Sequence, residues 1–379
     1  MDPLGARDPD RDRGTRSRRG RPPNRTAQPQ QMRACVIRAI GGLDRVEIAE
    51  VRAPLAGMSL GAREVRVNVR AAALNHLDLF VIAGLPLDYA FPHILGSDGA
   101  GVVDAAGPEV TAVRPGDTVM INPGVACHAC DACAAGEHSL CDDYRVLGEH
   151  LPGTMAEYVV VPEQNVARIP RLEPALTWAE AAAFSLVTLT AWRMVVTRAA
   201  VHAGEWVLVW GIGGGVSLTA LRIAKLRGAR VIATSSSDAK LERARSLGAD
   251  VTLNHGTQRV AREVRALTQG RGADVVIENA GAATWEESLK CLARGGRLVT
   301  CGATTGPVVS TDLRRLFWHQ YTILGSTMGN EAEYAAALRA LADGQLRPLV
   351  DRVYPLTEAR EALERLASGR QTGKVVVEI

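Results

Sequence analysis

The sequence has no apolar run long enough to cross a membrane, and its start lacks the apolar middle section of a secretory signal. These absences set aside membrane and exported proteins and leave a cytoplasmic location as the expectation. Charge imbalance is missing too: 44 Lys and Arg stand against 41 Asp and Glu. The net of +3 comes largely from the N-terminal tail, so no basic face argues for nucleic acid. Residues 1–31 have almost no apolar side chains and cannot bury enough surface to offset the entropy of ordering, so they read as disordered. Asp2, Asp8, Asp10 and Asp12 in this tail argue against an acid-poor mitochondrial presequence. Seven cysteines in a chain without an export signal point to thiols or metal ligands rather than disulfides.

What the chain does have is 379 residues, 47% of them hydrophobic, enough for about two domains with substantial cores. From Met32 it reads as short strands over 33–38, 46–51, 64–74, 99–105 and 118–121, broken by Gly and Pro, which is a compact β-rich unit. Within that unit His76, Asp78, His93 and Asp98 concentrate ionisable side chains in two segments; capping turns and satisfying loop backbone is the alternative use for them. Cys127, Cys130, Cys133 and Cys141 follow, spaced CxxCxxCx7C. Four thiolates so close can complete a tetrahedral shell around zinc, and a shell filled by sulfur leaves no position for substrate. The site is therefore expected to be structural, ordering a loop too poor in apolar residues to pack by itself. His128 and His138 beside it read as solvated loop residues.

A helix opens at Thr177 and Glu180 as a capping box, and from there strand and helix alternate. The stretch 206–228, WVLVWGIGGGVSLTALRIAKLRG, joins a buried strand, a glycine-rich turn and an amphipathic helix. Gly211, Gly213, Gly214 and Gly215 let the backbone turn sharply and bring main-chain N–H groups to a pyrophosphate at a helix N-terminus. Val216 and Ser217 stand where GxGxxG would place its last glycine, and a glycine-rich turn with no ligand is the alternative. Strands at 230–234, 251, 274–278, 297–301 and 322–326, with helices at 237–247 and 284–293, predict a doubly wound parallel sheet. The helix at 284–293 carries its own TWEE capping box at Thr284. Helices at 330–342 and 357–367 and strands near 353 and over 374–379 follow. Cys35 and Cys291 read as core residues.

A β-rich first domain with a four-cysteine lobe, the segment GTMAEY, a TxTAW helix and a glycine-rich nucleotide fold together resemble the medium-chain dehydrogenase/reductase superfamily, which contains the zinc alcohol dehydrogenases and the quinone oxidoreductases. The resemblance covers nearly everything after residue 31. It implies a GroES-like substrate domain over 32–188, a Rossmann domain over 189–325, a return to the substrate domain over 326–379, and a homodimer acting on a small molecule. Zinc alcohol dehydrogenases carry a second, catalytic zinc on a Cys before His-x-Asp, a His in Gly-His-Glu and a Cys in the helix leading to the nucleotide domain. Here those places hold Asn75, Ser97 and Leu186, which cannot replace thiolate and imidazole. The resemblance thus implies one structural zinc and a metal-free reductase, with His76, Asp78, Asn75 and Ser97 as the candidate catalytic set. Related reductases often carry a Tyr where this chain has Phe80. An altered metal site built from His76, Asp78, His93 and Asp98, and a cofactor-binding protein without turnover, are the competing readings.

The expected cofactor contacts are Gly211, Gly213, Gly214, Gly215, Val216, Ser235, Ser236 and Lys240, with Thr190, Cys301 and Gly302 beside them. An NAD-preferring unit places Asp or Glu at the end of its second strand to bind the ribose 2′-OH. This chain has Thr234, Ser235, Ser236 and Ser237 there with Lys240 one turn on, which favours NADP(H); a capping role for Ser237 is expected as well.

Overall fold

The computed structural model describes residues 30–54 and 59–379. Most of the segment read as a disordered tail lies outside the described residues, but Gln31 opens the strand Gln31–Ile37 and pairs with Arg52, so regular structure begins before Met32.

Six parallel strands form one sheet in the order Val251–Asn254, Arg230–Ser235, Trp206–Val209, Ala273–Glu278, Leu292–Thr300, Thr322–Gly325. The chain winds outward from Trp206–Val209 and then restarts on its other side, so the strand order reverses beside the glycine-rich turn. Val207 and Val209 join one core with Leu218, Leu221 and Val231, while Leu208 and Trp210 join a second with Val264 and Leu289 on the opposite face. Burial on both faces explains why these strands read as unbroken apolar runs.

The β-rich unit is a seven-stranded sheet built on the long strand Glu64–Ala73, flanked by Asp98–Ala106, Tyr158–Pro162 and Lys374–Glu378. Lys374–Glu378 lies inside this sheet, antiparallel to Glu64–Ala73 and parallel to Val350–Pro355. A smaller sheet pairs Gln31–Ile37 with Val46–Arg52 and His93–Ile94. No helix among the described residues is long and apolar enough to cross a membrane.

Several local readings change. The capping box at Thr177 forms, with Thr177 and Glu180 bonding each other's backbone N–H. The one at Thr284 does not: its hydroxyl donates to Glu278 Oε2 at 2.7 Å, and the helix Trp285–Cys291 gives way to strand at Leu292. Glu278 is fully buried and collects Thr284, Ser288 and two backbone N–H groups, a demand that outweighs a cap. Ser237 makes no side-chain cap either; Ser235 Oγ accepts the Ser237 N–H instead, at 3.1 Å. Helices at His76–Ala83, Val260–Leu267 and Leu313–His319 were not legible.

Candidate active site

The glycine-rich turn needs glycine at two positions. Gly211 and Gly213 have φ of +62° and +146°, where an L side chain is strained. The helix Gly215–Leu226 opens from Gly214 with no side-chain cap, which leaves its first N–H groups available to an anion. Ser217 Oγ donates to Trp210 O and accepts from Asn279 Nδ2, both at 2.9 Å, and so pins the turn to the strand Ala273–Glu278 across the switch point. Two lysines lie against the turn: a Cβ on Gly213 would meet Lys240 Cδ at 2.8 Å, and one on Gly215 would meet Lys374 Cδ at 2.9 Å. The ammonium of Lys240 beside Gly213, a helix start without a side-chain cap and open space at Gly214 fit a dinucleotide pyrophosphate.

The other cofactor candidates spread out. Ser235 is buried and engaged with Ser237, whereas Ser236 is exposed. Lys240 Nζ donates to Gly369 O. Val216 packs against the core beneath the turn. Cys301 donates its N–H to Glu278 O, and burial pushes its thiol up to about 12. Gly302 approaches Asn279 O, which a Cβ would meet at 3.3 Å. Thr190 is buried with its hydroxyl toward Met328 Sδ, so it faces the returning chain.

The catalytic candidates meet in one buried polar cluster. Lys374 Nζ donates to Asn75 Oδ1 at 2.5 Å and to Asp98 Oδ2 at 2.9 Å. Asn75 Nδ2 donates to the same Asp98 oxygen at 3.0 Å, and the other, Oδ1, accepts the Leu186 N–H at 2.7 Å. Lys374 and Asp98 have side-chain exposures of 4% and 0%, so the pair is shut off from water. Asp78 accepts the N–H groups of Asn75 and Gly96 and ties the start of helix His76–Ala83 to the loop before Asp98. Burial pushes its carboxyl up to about 6 against those two N–H groups and the nearby Lys374. His76 is half-buried, and burial followed by the charge of Lys374 lowers its pKa. The ring is therefore neutral near neutral pH and can donate one N–H. Ser97 Oγ is buried with no hydrogen-bond partner among the described residues, an orphan of the kind a bound group satisfies.

Sequence reading missed Lys374, whose signal was a single basic residue opening the apolar run KVVVEI. Asn75, Ser97 and Leu186, the positions that the resemblance implies for a catalytic zinc, offer neither thiolate nor imidazole, a set that does not fit zinc. His93 stands apart, its Nε2 3.0 Å from Gly148 O and its ring edge-on to Tyr89. Among the described residues His76, Asp78, His93 and Asp98 do not bring ligand atoms together.

The four cysteines do converge. Their sulfurs lie within 4.8 Å of one another, with Cys127 and Cys133 3.9 Å apart. A tetrahedral zinc with about 2.3 Å bonds to sulfur sets its ligands about 3.8 Å apart, so the cluster fits zinc. Backbone N–H groups of Cys133 and Asp142 lower the Cys130 thiol to about 6, whereas burial pushes the neighbouring Cys133 thiol up to about 12. The lobe is anchored through Arg193, which bonds Glu137 in the lobe and Glu333 in the helix Glu331–Ala342.

This combination defines a zinc-type dehydrogenase fold with a nucleotide cleft. Residues 61–171 match the alcohol dehydrogenase GroES-like domain, and residues 215–343 match the zinc-binding dehydrogenase family. A crystal structure of an NAD-dependent alcohol dehydrogenase is 47% identical with a TM-score of 0.87, covering 92% of this chain and 100% of that one. The quinone oxidoreductase of Pseudomonas aeruginosa is 33% identical over 84% of this chain and 91% of its own length. The crotonyl-CoA reductase of Streptomyces collinus is 33% identical over 88% of this chain and 81% of its own length. The chain belongs to the medium-chain dehydrogenase/reductase superfamily and is an oxidoreductase expected to use a nicotinamide cofactor.

Proposed function

We propose that this oxidoreductase uses NADPH to reduce an activated C=C or C=O bond of a small molecule, without a catalytic metal. The observation that carries the reading is the buried Lys374, bonded to Asn75 and Asp98 among residues that replace zinc ligands. The bound cofactor would supply hydride, held with its pyrophosphate on Gly211, Gly213, Gly214 and Gly215. Charge developing on the substrate oxygen then needs donors rather than a Lewis acid, and the free Ser97 hydroxyl and the neutral His76 N–H are the candidates. Asn75 and Asp78 position them. Similarity to a quinone oxidoreductase and a crotonyl-CoA reductase supports this substrate class.

NADPH consumption measured with enones, quinones and aldehydes, before and after chelation of exchangeable metal, tests the reading. No turnover of any of them, or turnover that needs an added second metal, overturns it. His76→Ala and Asp78→Ala should each keep the cysteine-bound zinc and lower kcat by about 10²-fold or more. Full activity in both would remove them from the site.

The cofactor preference rests on Ser236 and Lys240. Lys240 reaches a 2′-phosphate by releasing Gly369 O, and a charge-assisted bond contributes about 1.5–3 kcal/mol. Lys240→Glu should then lower kcat/KM for NADPH about tenfold to a hundredfold relative to NADH. An unchanged ratio sinks the assignment.

On this reading the cleft lies between a substrate domain (32–188 with 326–379) and a cofactor domain (189–325). The parallel sheet ends in an exposed edge strand, Thr322–Gly325, beside Leu313, Phe317 and Trp318, each about two-thirds exposed. An unpaired edge flanked by large apolar side chains supports a homodimer through the cofactor domain.

A further inference from the structure

Outside the cleft and the cysteine shell, one other group of ligating side chains converges among the described residues. His128 lies in the cysteine lobe between Cys127 and Cys130, His138 opens the short turn His138–Leu140, and Glu331 is the first residue of the helix Glu331–Ala342. His128 Nδ1 lies 3.7 Å from Glu331 Oε1, and His138 Nε2 lies 3.8 Å from Oε2, so each carboxylate oxygen faces one ring. The two imidazoles are 5.1 Å apart between centroids. One ligand atom from each of the three residues lies within 4.8 Å of the others. They border a shallow pocket that Asn122, Gly124 and Tyr144 complete.

We propose that His128, His138 and Glu331 form a second, exchangeable site for zinc that clips the cysteine lobe to the N-terminus of helix Glu331–Ala342. Two imidazoles and a carboxylate suit a borderline divalent metal, and three protein ligands leave positions for water. Bonds of about 2.0–2.2 Å to nitrogen and oxygen bring tetrahedral ligand atoms about 3.3–3.5 Å apart, and the three ligand atoms here, all within 4.8 Å of one another, reach that spacing by side-chain rotation. As ion pairs alone these partly exposed contacts would stabilise the protein little, and a shared cation makes all three attractive. His138 must offer Nε2 and carry its proton on Nδ1; the only contact opposing this is the Glu331 N–H, 3.5 Å from Nδ1 and at the outer limit of a hydrogen bond.

The site joins the same two parts as the Arg193 bridge. Glu137 precedes His138, and Glu333 lies two residues past Glu331, so the metal would close a second link beside the existing one. His128 holds φ at +55°, in the left-handed region, with its ring tilted 48° to that of His138. Two of the four sulfur ligands are buried, whereas none of these three side chains is, so this zinc should exchange with solvent more readily. The inference is independent of the substrate and cofactor assignment.

The test uses untagged full-length protein dialysed against EDTA, which leaves the cysteine-bound zinc in place, then freed of chelator and titrated calorimetrically with zinc chloride. One further zinc per chain is expected, reversible by EDTA. His138→Ala and Glu331→Gln should each weaken uptake at least tenfold, and His128→Ala/His138→Ala should abolish it, with the first zinc and the circular dichroism spectrum kept in all. Added zinc should also slow limited proteolysis of the lobe in the parent and not in the double variant. No further equivalent in the parent, uptake unchanged in the double variant, or a cleavage rate insensitive to zinc overturns the proposal.

Discussion

Lys374→Met should destabilise the protein by about 3–5 kcal/mol, because it removes one partner of a buried charge pair and leaves Asp98 without its cation. Methionine keeps most of the stem that packs at Gly215, so the loss reports charge rather than volume. Asp98 would retain the N–H of Leu186 and the amide of Asn75, which hold its position but not its charge. The double variant Lys374→Met/Asp98→Asn removes both charges and should recover most of the stability, since a neutral pair carries no desolvation penalty of that size. Turnover should stay at least about a hundredfold down in both, as expected when a preorganised electrostatic group is lost from a reaction site. Urea denaturation and steady-state rates on the two variants separate the effects. A single variant as stable as the parent means that the pair does not bear on folding, and full turnover in the double variant removes Lys374 from the chemistry.

Cys130→Ser should strip the zinc. A serine hydroxyl stays protonated where the thiolate would bind, and three remaining sulfurs no longer close the shell. Structural zinc contributes about 10–16 kcal/mol in small zinc-dependent folds, far more than a lobe with so few apolar residues can supply by packing. The parent should hold one zinc per chain through EDTA dialysis, and the variant close to none. Proteases should then cut between Cys127 and Cys141, and the Glu137 end of the Arg193 bridge should be released with them. One chelator-resistant zinc in the variant, or two in the parent, contradicts the account.

The parallel sheet and the cysteine lobe were legible because their signals are local. Strands buried on both faces give unbroken runs such as Trp206–Val209, and four cysteines within fifteen positions leave few geometries. The Lys374 cluster was not legible, because Asn75 and Lys374 are 299 positions apart and meet only through sheet register. The helix His76–Ala83 was hidden for another reason: HLDLFVIA is apolar nearly all round and shows no helical stripe. Val260–Leu267 is short, with Val260 and Val264 as its buried residues. Thr284 and Ser237 sit where sequence places caps, but buried Glu278 takes the Thr284 hydroxyl and the Ser237 side chain makes no cap. Thr190 lies in the expected helix with its hydroxyl turned toward Met328.

The place of Lys374–Glu378 inside the seven-stranded sheet has a consequence for biosynthesis. The parallel sheet is complete once Gly325 has been made, whereas the other sheet waits for Lys374–Glu378 to fill the gap between Glu64–Ala73 and Val350–Pro355. Until Lys374–Glu378 has been made, Glu64–Ala73 has an open edge and Asp98 lacks its cation. The nascent chain can therefore hold a finished parallel sheet beside an unfinished polar cluster, and its exposure to strand-pairing errors at Glu64–Ala73 lasts until Lys374–Glu378 has emerged.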